Sequence, residues 1–405
     1  MLRIDPERRV LSGMRVSGRL HLGHYHGVLQ NWIQLQREYE CFFFAADWHG
    51  LTTAYESPQD LNELTLEMVI DWLAAGVNPG LSPIFLQSLV PQHAELHLLL
   101  SMLTPLSWLE RSPTYKEQQE KLQDKDLSPY GFLGYPLLQT ADILLYRAGL
   151  VPIGQDQLPH LEISRAVARR FNHYYGSEPD FERSVDSARK KLGKKLAELY
   201  SKLRSQYREQ GDIEALSTAR ALVREQSNIT LGDQERLLGA LDGDGRIILA
   251  EPQALLTHCP KLLGLDGQKM SKSYGNTISL RENADDVVKK IKTMQTDPAR
   301  VRRTDPGTPE VCPVWSLHQI YSDEATQDWV QQGCTTANIG CVDCKKPIIE
   351  AINNELEPMR VRAKEYENDR GYVREILING SERAKEEAEA TMVEVRSAMG
   401  LGELG

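Results

Sequence analysis

Six consecutive apolar residues, Cys41-Phe-Phe-Phe-Ala-Ala46, stand between two helical patterns. A strand that is wetted on one side alternates apolar and polar residues, so a strand without that alternation is covered on both faces. Such strands belong to parallel sheets, whose crossover helices pack on the faces. The neighbouring sequence fits. Arg9 to Gly13 reads as a strand entering a glycine-containing turn. Leu22 to Leu35 reads as a helix, with Leu22, Tyr25, Leu29, Trp32 and Ile33 near one face. Leu61 to Ala75 reads as an amphipathic helix and Ile84 to Gln87 as a short strand. This alternation predicts an α/β chain built on a doubly wound parallel sheet.

With 405 residues, the chain is too long for one small core and suits two domains with an insert. The character changes after about Pro179. Leu192, Leu196, Leu199, Leu203 and Tyr207 line one helix face, and Gly211-Asp212 breaks that helix. Ile213 to Gln226 and Asn228 to Asp244 read as further helices. The segment Arg183 to Arg246 is therefore expected to be a charged insert of two or three helices. Beyond about Asp285 the pattern is mainly helical, and a last helix, Glu382 to Met399, ends at Gly400. The expected division is a catalytic domain over 1–180 and 248–285, an insert over 181–247, a helical domain over 286–380, and a C-terminal helix over 381–405 that packs back on the catalytic domain.

The composition, 41% apolar and 26% charged, is ordinary for a soluble globular protein. No apolar run approaches a membrane span, and Met1 to Val10 lacks the apolar core of a secretion signal, so a cytoplasmic protein is expected. A net charge of −10 argues against a generally basic nucleic-acid binder, though local patches can still meet phosphates. Two candidates are Arg189 to Lys195, which reads first as a solvated helix face, and Lys289 to Arg303, for which a solvated face and a phosphate contact are equal readings.

Two motifs carry chemistry. In Gly18-Arg-Leu-His-Leu-Gly-His-Tyr25, His21 and His24 fall three apart where a helix opens, so both imidazoles lie on one side of its first turn. Free N–H groups and the positive end of the helix dipole favour phosphate there, and Gly23 leaves room for a nucleotide against the backbone. Lys269-Met-Ser-Lys-Ser273 places two ammonium groups and two hydroxyls in one loop, a set that can neutralise a leaving pyrophosphate.

In this order, HLGH and KMSKS resemble the paired motifs of class I aminoacyl-tRNA synthetases. Ser12 to Tyr25, Ala46-Asp-Trp-His-Gly-Leu-Thr52, Tyr135 to Tyr146 and Val151-Pro-Ile-Gly-Gln-Asp-Gln157 further resemble the bacterial tryptophanyl-tRNA synthetases. The likeness covers nearly the whole chain outside Arg183 to Arg246. It implies ATP, carried with Mg2+, and L-tryptophan and tRNA(Trp) as substrates, with tryptophanyl-adenylate as intermediate. Catalytic roles would fall to His21, His24, Lys269 and Lys272. ATP would be met by Arg15, Val16, Ser17, Gly23, His24, Gly154, Gln155, Asp156, Lys269, Met270, Ser271, Lys272 and Ser273. Asp142 would accept the indole N–H and Gln157 would hold the substrate ammonium, with Tyr135, Gln139, Ile153, His49 and Leu11 lining or flanking the pocket. Indole carries one donor and no acceptor, which suits an ionised carboxylate. Arg15 and Gln139 stand where other members carry Gln and Met. The family also implies a homodimer. The alternatives are a tyrosyl-tRNA synthetase of the same architecture, or a paralogue that binds tryptophan or RNA without catalysis.

Of six cysteines, Cys312, Cys334, Cys341 and Cys344 cluster in one short segment, which in a reducing compartment suggests metal. Four thiolates suit tetrahedral zinc or a 4Fe–4S cluster, and spacing does not choose between them. A subset of the family carries closely similar cysteines and binds a 4Fe–4S cluster, so the resemblance implies that group, with zinc as the alternative. Cys41 and Cys259 read as packing residues.

Overall fold

The computed structural model describes residues 8–52, 55, 60–112, 115, 128–154, 158–177, 180–210, 212–243, 245–256 and 262–402. Its centre is a parallel sheet of β1 (Arg9–Arg15), β2 (Glu40–Ala46), β3 (Ile84–Leu86), β4 (Leu150–Ile153) and β5 (Gln253–Leu256). The strand order is β3-β2-β1-β4-β5, with β1 in register against β2 from Arg9–Glu40 to Arg15–Ala46. The chain leaves β1 on one side, fills β2 and β3, and returns to β4 on the other. The crevice where the order reverses, at the C-terminal ends of β1 and β4, is where such sheets bind ligands.

The apolar β2 does have two covered faces. Cys41, Phe43 and Ala45 belong to one core cluster, and Phe42, Phe44 and Ala46 to another. Trp32, from the predicted first helix, stacks on Phe43 with ring centroids 4.3 Å apart. That helix runs further than expected, as Leu22–His24, a π-turn at Tyr25–Leu29, and Gln30–Glu38. Strands β4 and β5 were not expected. Each has only four residues, and Pro152 in β4 is a residue that argues against a strand.

The C-terminal part differs from its expected outline. The last helix is Arg370–Ala398, 29 residues long, and does not begin at Glu382. Val373, Ile376 and Leu377 pack in the first core, while Ala384, Ala388, Met392 and Val395 pack in the second. The helix thus crosses the edge of β3, where Ser381 Oγ accepts from the Leu86 N–H at 3.2 Å. A Cβ at Gly380 would stand 2.0 Å from the Ile84 carbonyl oxygen, so only glycine permits this crossing. The helix packs on the sheet and covers its edge.

Among the described residues between 181 and 242 there are four helices rather than two or three: Phe181–Lys191, Lys194–Gln210, Ile213–Arg224 and Leu231–Asp242. Gly193, at φ +83°, separates the first two. Tyr200 and Leu203 face inward, whereas Leu199, expected on that face, is exposed. The four helices share a core of their own, including Phe181, Val185, Leu216, Val223 and Leu237. No described helix is long and apolar enough to cross a membrane.

Candidate active site

The turn after β1 brings the two motifs together. Gly18 adopts φ +71°, and the Leu20 N–H donates to Asp71 Oδ2 at 2.6 Å. Asp71 is fully buried and pairs with Arg281 at 2.7 Å. The His21 N–H donates to His24 Nδ1 at 3.3 Å, and the two rings lie 3.9 Å apart. Burial, then the charge of Lys272, lowers His21 to about 4. Burial, then His21 and Lys272, lowers His24 to about 3. Near pH 7 both rings are therefore neutral, and each can offer an N–H to a phosphate oxygen.

Lys272 Nζ donates to the Ser17 carbonyl at 2.5 Å and lies 3.3 Å from Ser17 Oγ. Behind the loop, the Leu22 N–H donates to Ile278 O at 3.0 Å and the Leu280 N–H to Leu20 O at 3.1 Å. A Cβ on Gly23 would lie 3.0 Å from the His21 ring and 3.6 Å from Met270 Cβ. Met270 and Val16 are buried core residues. Lys269 lies close enough for its charge to lower His24 further. Ser271 is half-buried and Ser273 exposed. Asn276 shapes this loop: its Oδ1 accepts from the Ser271 N–H at 2.8 Å, and its Nδ2 donates to Asp266 at 2.7 Å and to Lys269 O at 3.2 Å. Its place in Tyr274-Gly-Asn276, directly after the lysine motif, is the sequence signal for this role.

Beside this junction lies a cavity of about 190 Å³ at the ends of β1 and β4. Six residues expected at the amino-acid pocket line it: Leu11, His49, Tyr135, Gln139, Asp142 and Ile153. Arg15 lines it too, from the end of β1, two residues before Ser17. Asp142 is almost wholly buried and held by three donors. Gln87 Nε2 and His93 Nδ1 meet Oδ1 at 2.8 and 2.6 Å, and His49 Nε2 meets Oδ2 at 2.8 Å. Burial pushes the carboxyl up, but the two histidines beside it, His93 first, outweigh burial and hold it at about 2. Gln87 and His93 were not foreseen, since nothing in their local spacing ties them to a residue some fifty positions away. Gly154 is half-buried just after β4; Gln155, Asp156 and Gln157 lie outside the described residues, as does Cys259.

The four clustered cysteines sit at three places: Cys312 before the helix Pro313–Tyr321, Cys334 in Glu324–Thr335, and Cys341 and Cys344 at the start of Cys341–Asn368. Burial, then the neighbouring Cys312, Cys334 and Cys341, pushes Cys344 up to about 12. Arg300 Nη1 lies 3.6 Å from Cys334 Sγ, and His318 Nε2 lies 3.3 Å from Cys344 Sγ. Among the described residues, no group of three or more His, Cys, Asp or Glu side chains is gathered in a way that could hold a metal ion. Of the candidate basic patch at 289–303, Arg300 is buried, donating to Ile339 O at 2.5 Å, whereas Lys292, Arg302 and Arg303 are exposed.

Known proteins similar to this chain identify its family. The family described as tRNA synthetases class I (W and Y) matches residues 5–189 and 225–357. A tryptophan–tRNA ligase of Ralstonia nicotianae is 61% identical over 396 residues, covering 98% of this chain and 99% of that protein. One from Thermotoga maritima is 42% identical, covering 97% and 99%. The crystal structure of tryptophanyl-tRNA synthetase from Campylobacter jejuni complexed with ADP and tryptophan aligns at a TM-score of 0.70 with 26% identity, over 97% of this chain and 100% of that one. The chain belongs to the class I tRNA synthetases of the tryptophan and tyrosine group, and within it to the bacterial tryptophan–tRNA ligases.

Proposed function

We propose that the 190 Å³ cavity holds the tryptophan side chain with Asp142 as the acceptor for its indole N–H, and that the HLGH–KMSKS junction holds ATP. The observation that carries this is the state of the Asp142 carboxylate. An ionised carboxylate has about four lone-pair positions. Protein donors take three, two on Oδ1 and one on Oδ2. One remains on Oδ2, matching the single donor of indole. Arg15 faces the cavity from the strand that leads to Ser17, where a guanidinium can clamp the substrate carboxylate or the α-phosphate. Gln157 takes the ammonium.

In the first step the tryptophan carboxylate attacks the α-phosphate of Mg2+–ATP and pyrophosphate leaves. Positioning and charge stabilisation suffice, with no protein nucleophile. His21 and His24 donate N–H groups to phosphate oxygens, and Lys269 and Lys272 neutralise the leaving pyrophosphate; Lys272 gives up Ser17 to do so. The terminal ribose hydroxyl of tRNA(Trp) then takes the acyl group.

The surroundings complete the reading. The four cysteines are the ligand set for a 4Fe–4S cluster, with zinc as the alternative; their number and the mutual influence of their thiols support this reading. The cluster would tie three segments of the C-terminal region together. Residues 181–247 are an insert into the catalytic domain, supported by their separate core and by the family match stopping at 189 and resuming at 225. Leu98, Met102, Leu106 and Tyr130, each more than half exposed, supply an apolar face for a homodimer in the cytoplasm. Lys292, Arg302 and Arg303 supply exposed charge for the anticodon arm.

The test is Asp142→Asn in tryptophan-dependent ATP–pyrophosphate exchange. Loss of the ionised acceptor is expected to cost about 2–4 kcal/mol in kcat/KM for tryptophan. An unchanged kcat/KM would refute the assignment.

A further inference from the structure

We infer that His93, held by Tyr146, is a positioning residue for tryptophan selection: it locks the Asp142 carboxylate in an ionised state and in one orientation, leaving a single Oδ2 lone pair for the indole. This rests on the reading of Asp142 as the indole acceptor.

His93 is completely buried, at the start of the helix Gln92–Ser101, and meets the Asp142 oxygen that the cavity-lining His49 does not. Its Nδ1 lies 2.6 Å from Asp142 Oδ1, and its Nε2 lies 2.8 Å from the hydroxyl of Tyr146, also completely buried. A carboxylate accepts only, so Nδ1 carries the proton and donates. In that tautomer Nε2 is an acceptor, and the Tyr146 hydroxyl donates to it. Burial, then the charge of Asp142, pushes the Tyr146 phenol well above its usual range, so it keeps its proton. Each hydrogen-bonding atom of the ring therefore has one partner of the right kind. The ring is fixed by packing as well, its centroid 6.0 Å from that of Phe44 and 6.1 Å from that of Phe85.

Without His93, Asp142 Oδ1 loses the shortest of its three donors, at 2.6 Å, while the burial that raises the carboxyl pKa remains. The other titratable and charged groups that face Asp142 are His49, His97, Tyr135 and Tyr146, with Arg15 across the cavity. Of these, His49 alone donates to the carboxylate, and on the other oxygen. A protonated Asp142 would present an O–H to the indole in place of a lone pair.

The experiment measures KM for tryptophan, KM for ATP and kcat between pH 6 and 8. In the wild type, KM for tryptophan is expected to stay within about twofold, because Asp142 is ionised throughout. In His93→Phe, which keeps an aromatic ring but has no donor, KM for tryptophan should climb about tenfold from pH 8 to pH 6. Its KM for ATP and its kcat should move less than about twofold. In His93→Gln, whose amide N–H replaces Nδ1, the pH dependence should largely disappear. A flat profile in His93→Phe, an equal rise in both KM values, or a Gln variant as pH-sensitive as the Phe variant would overturn the proposal. Should His93→Phe fail to fold, Tyr146→Phe removes a single oxygen; a KM for tryptophan unchanged at every pH would overturn it equally. Asp142→Asn separates the two levels. If it binds tryptophan normally, the indole assignment falls; if it does not, and His93→Phe behaves as wild type, only the role of His93 falls.

Discussion

At the scale of single residues, burial decides how the chemistry is expressed. His21 and His24 could have been charged phosphate ligands, but burial and Lys272 hold them near 4 and 3. The sign of the consequence follows from linkage. The unfolded chain takes up protons at these rings as pH falls through about 6.5, and the folded protein resists until about 4. Stability present above pH 6.5 is therefore lost as pH falls from 6.5 toward 4. His24→Asn cannot titrate, so its melting-temperature deficit relative to wild type should shrink between pH 7 and 4.5; a constant gap would contradict the assigned burial. Lys272 sits on the Ser17 carbonyl and does not line the amino-acid cavity. Lys272→Ala should slow adenylate formation by about two orders of magnitude, the scale of removing one transition-state donor, while tryptophan affinity measured calorimetrically stays within about twofold. Loss of tryptophan binding would show that the role is misassigned. These two motifs and Asp142 were legible as short strings. His93, Gln87, Tyr146 and Asn276 were not, because their importance lies in contacts rather than in type.

At the scale of elements, close backbone approach governs placement. The helix Arg370–Ala398 passes β3 at Gly380, whose missing side chain is the condition for contact. Gly380→Val should destabilise by about 1–3 kcal/mol or more, as overpacking does, whereas Gly131→Ala, with open space around it, should be neutral or slightly stabilising. Urea denaturation of the two variants checks this, and equal effects would mean that the crossing is loose. Periodicity located the helices of the 181–242 region but not their number. Leucines on either side of Gly193 line up in sequence as if one helix continued, and the left-handed turn that divides them leaves no gap in the pattern. Strand β2 was legible because it is buried on both faces; β4 and β5 were not, being short and, in β4, interrupted by Pro152.

At the scale of the whole molecule, the sheet divides the interior into two cores, and the last helix joins them around the β3 edge. The clustered cysteines lie further out, on three separate segments of the C-terminal region, which the proposed cluster would join. Protein purified without oxygen should be brown, with broad absorbance toward the blue and equal amounts of iron and acid-labile sulfide. A colourless sample containing zinc would refute the cluster. What the amino-acid sequence determined alone was local and periodic: the buried strand, the amphipathic helices, and the two phosphate motifs, each set by residues within a turn or two of one another. What only the tertiary structure decided was which distant groups meet: Lys272 with Ser17, His93 with Asp142, Gly380 with Ile84. Those meetings depend on packing shape and on the need of every buried donor and acceptor for a partner, and neither leaves a trace in the spacing of residues along the chain.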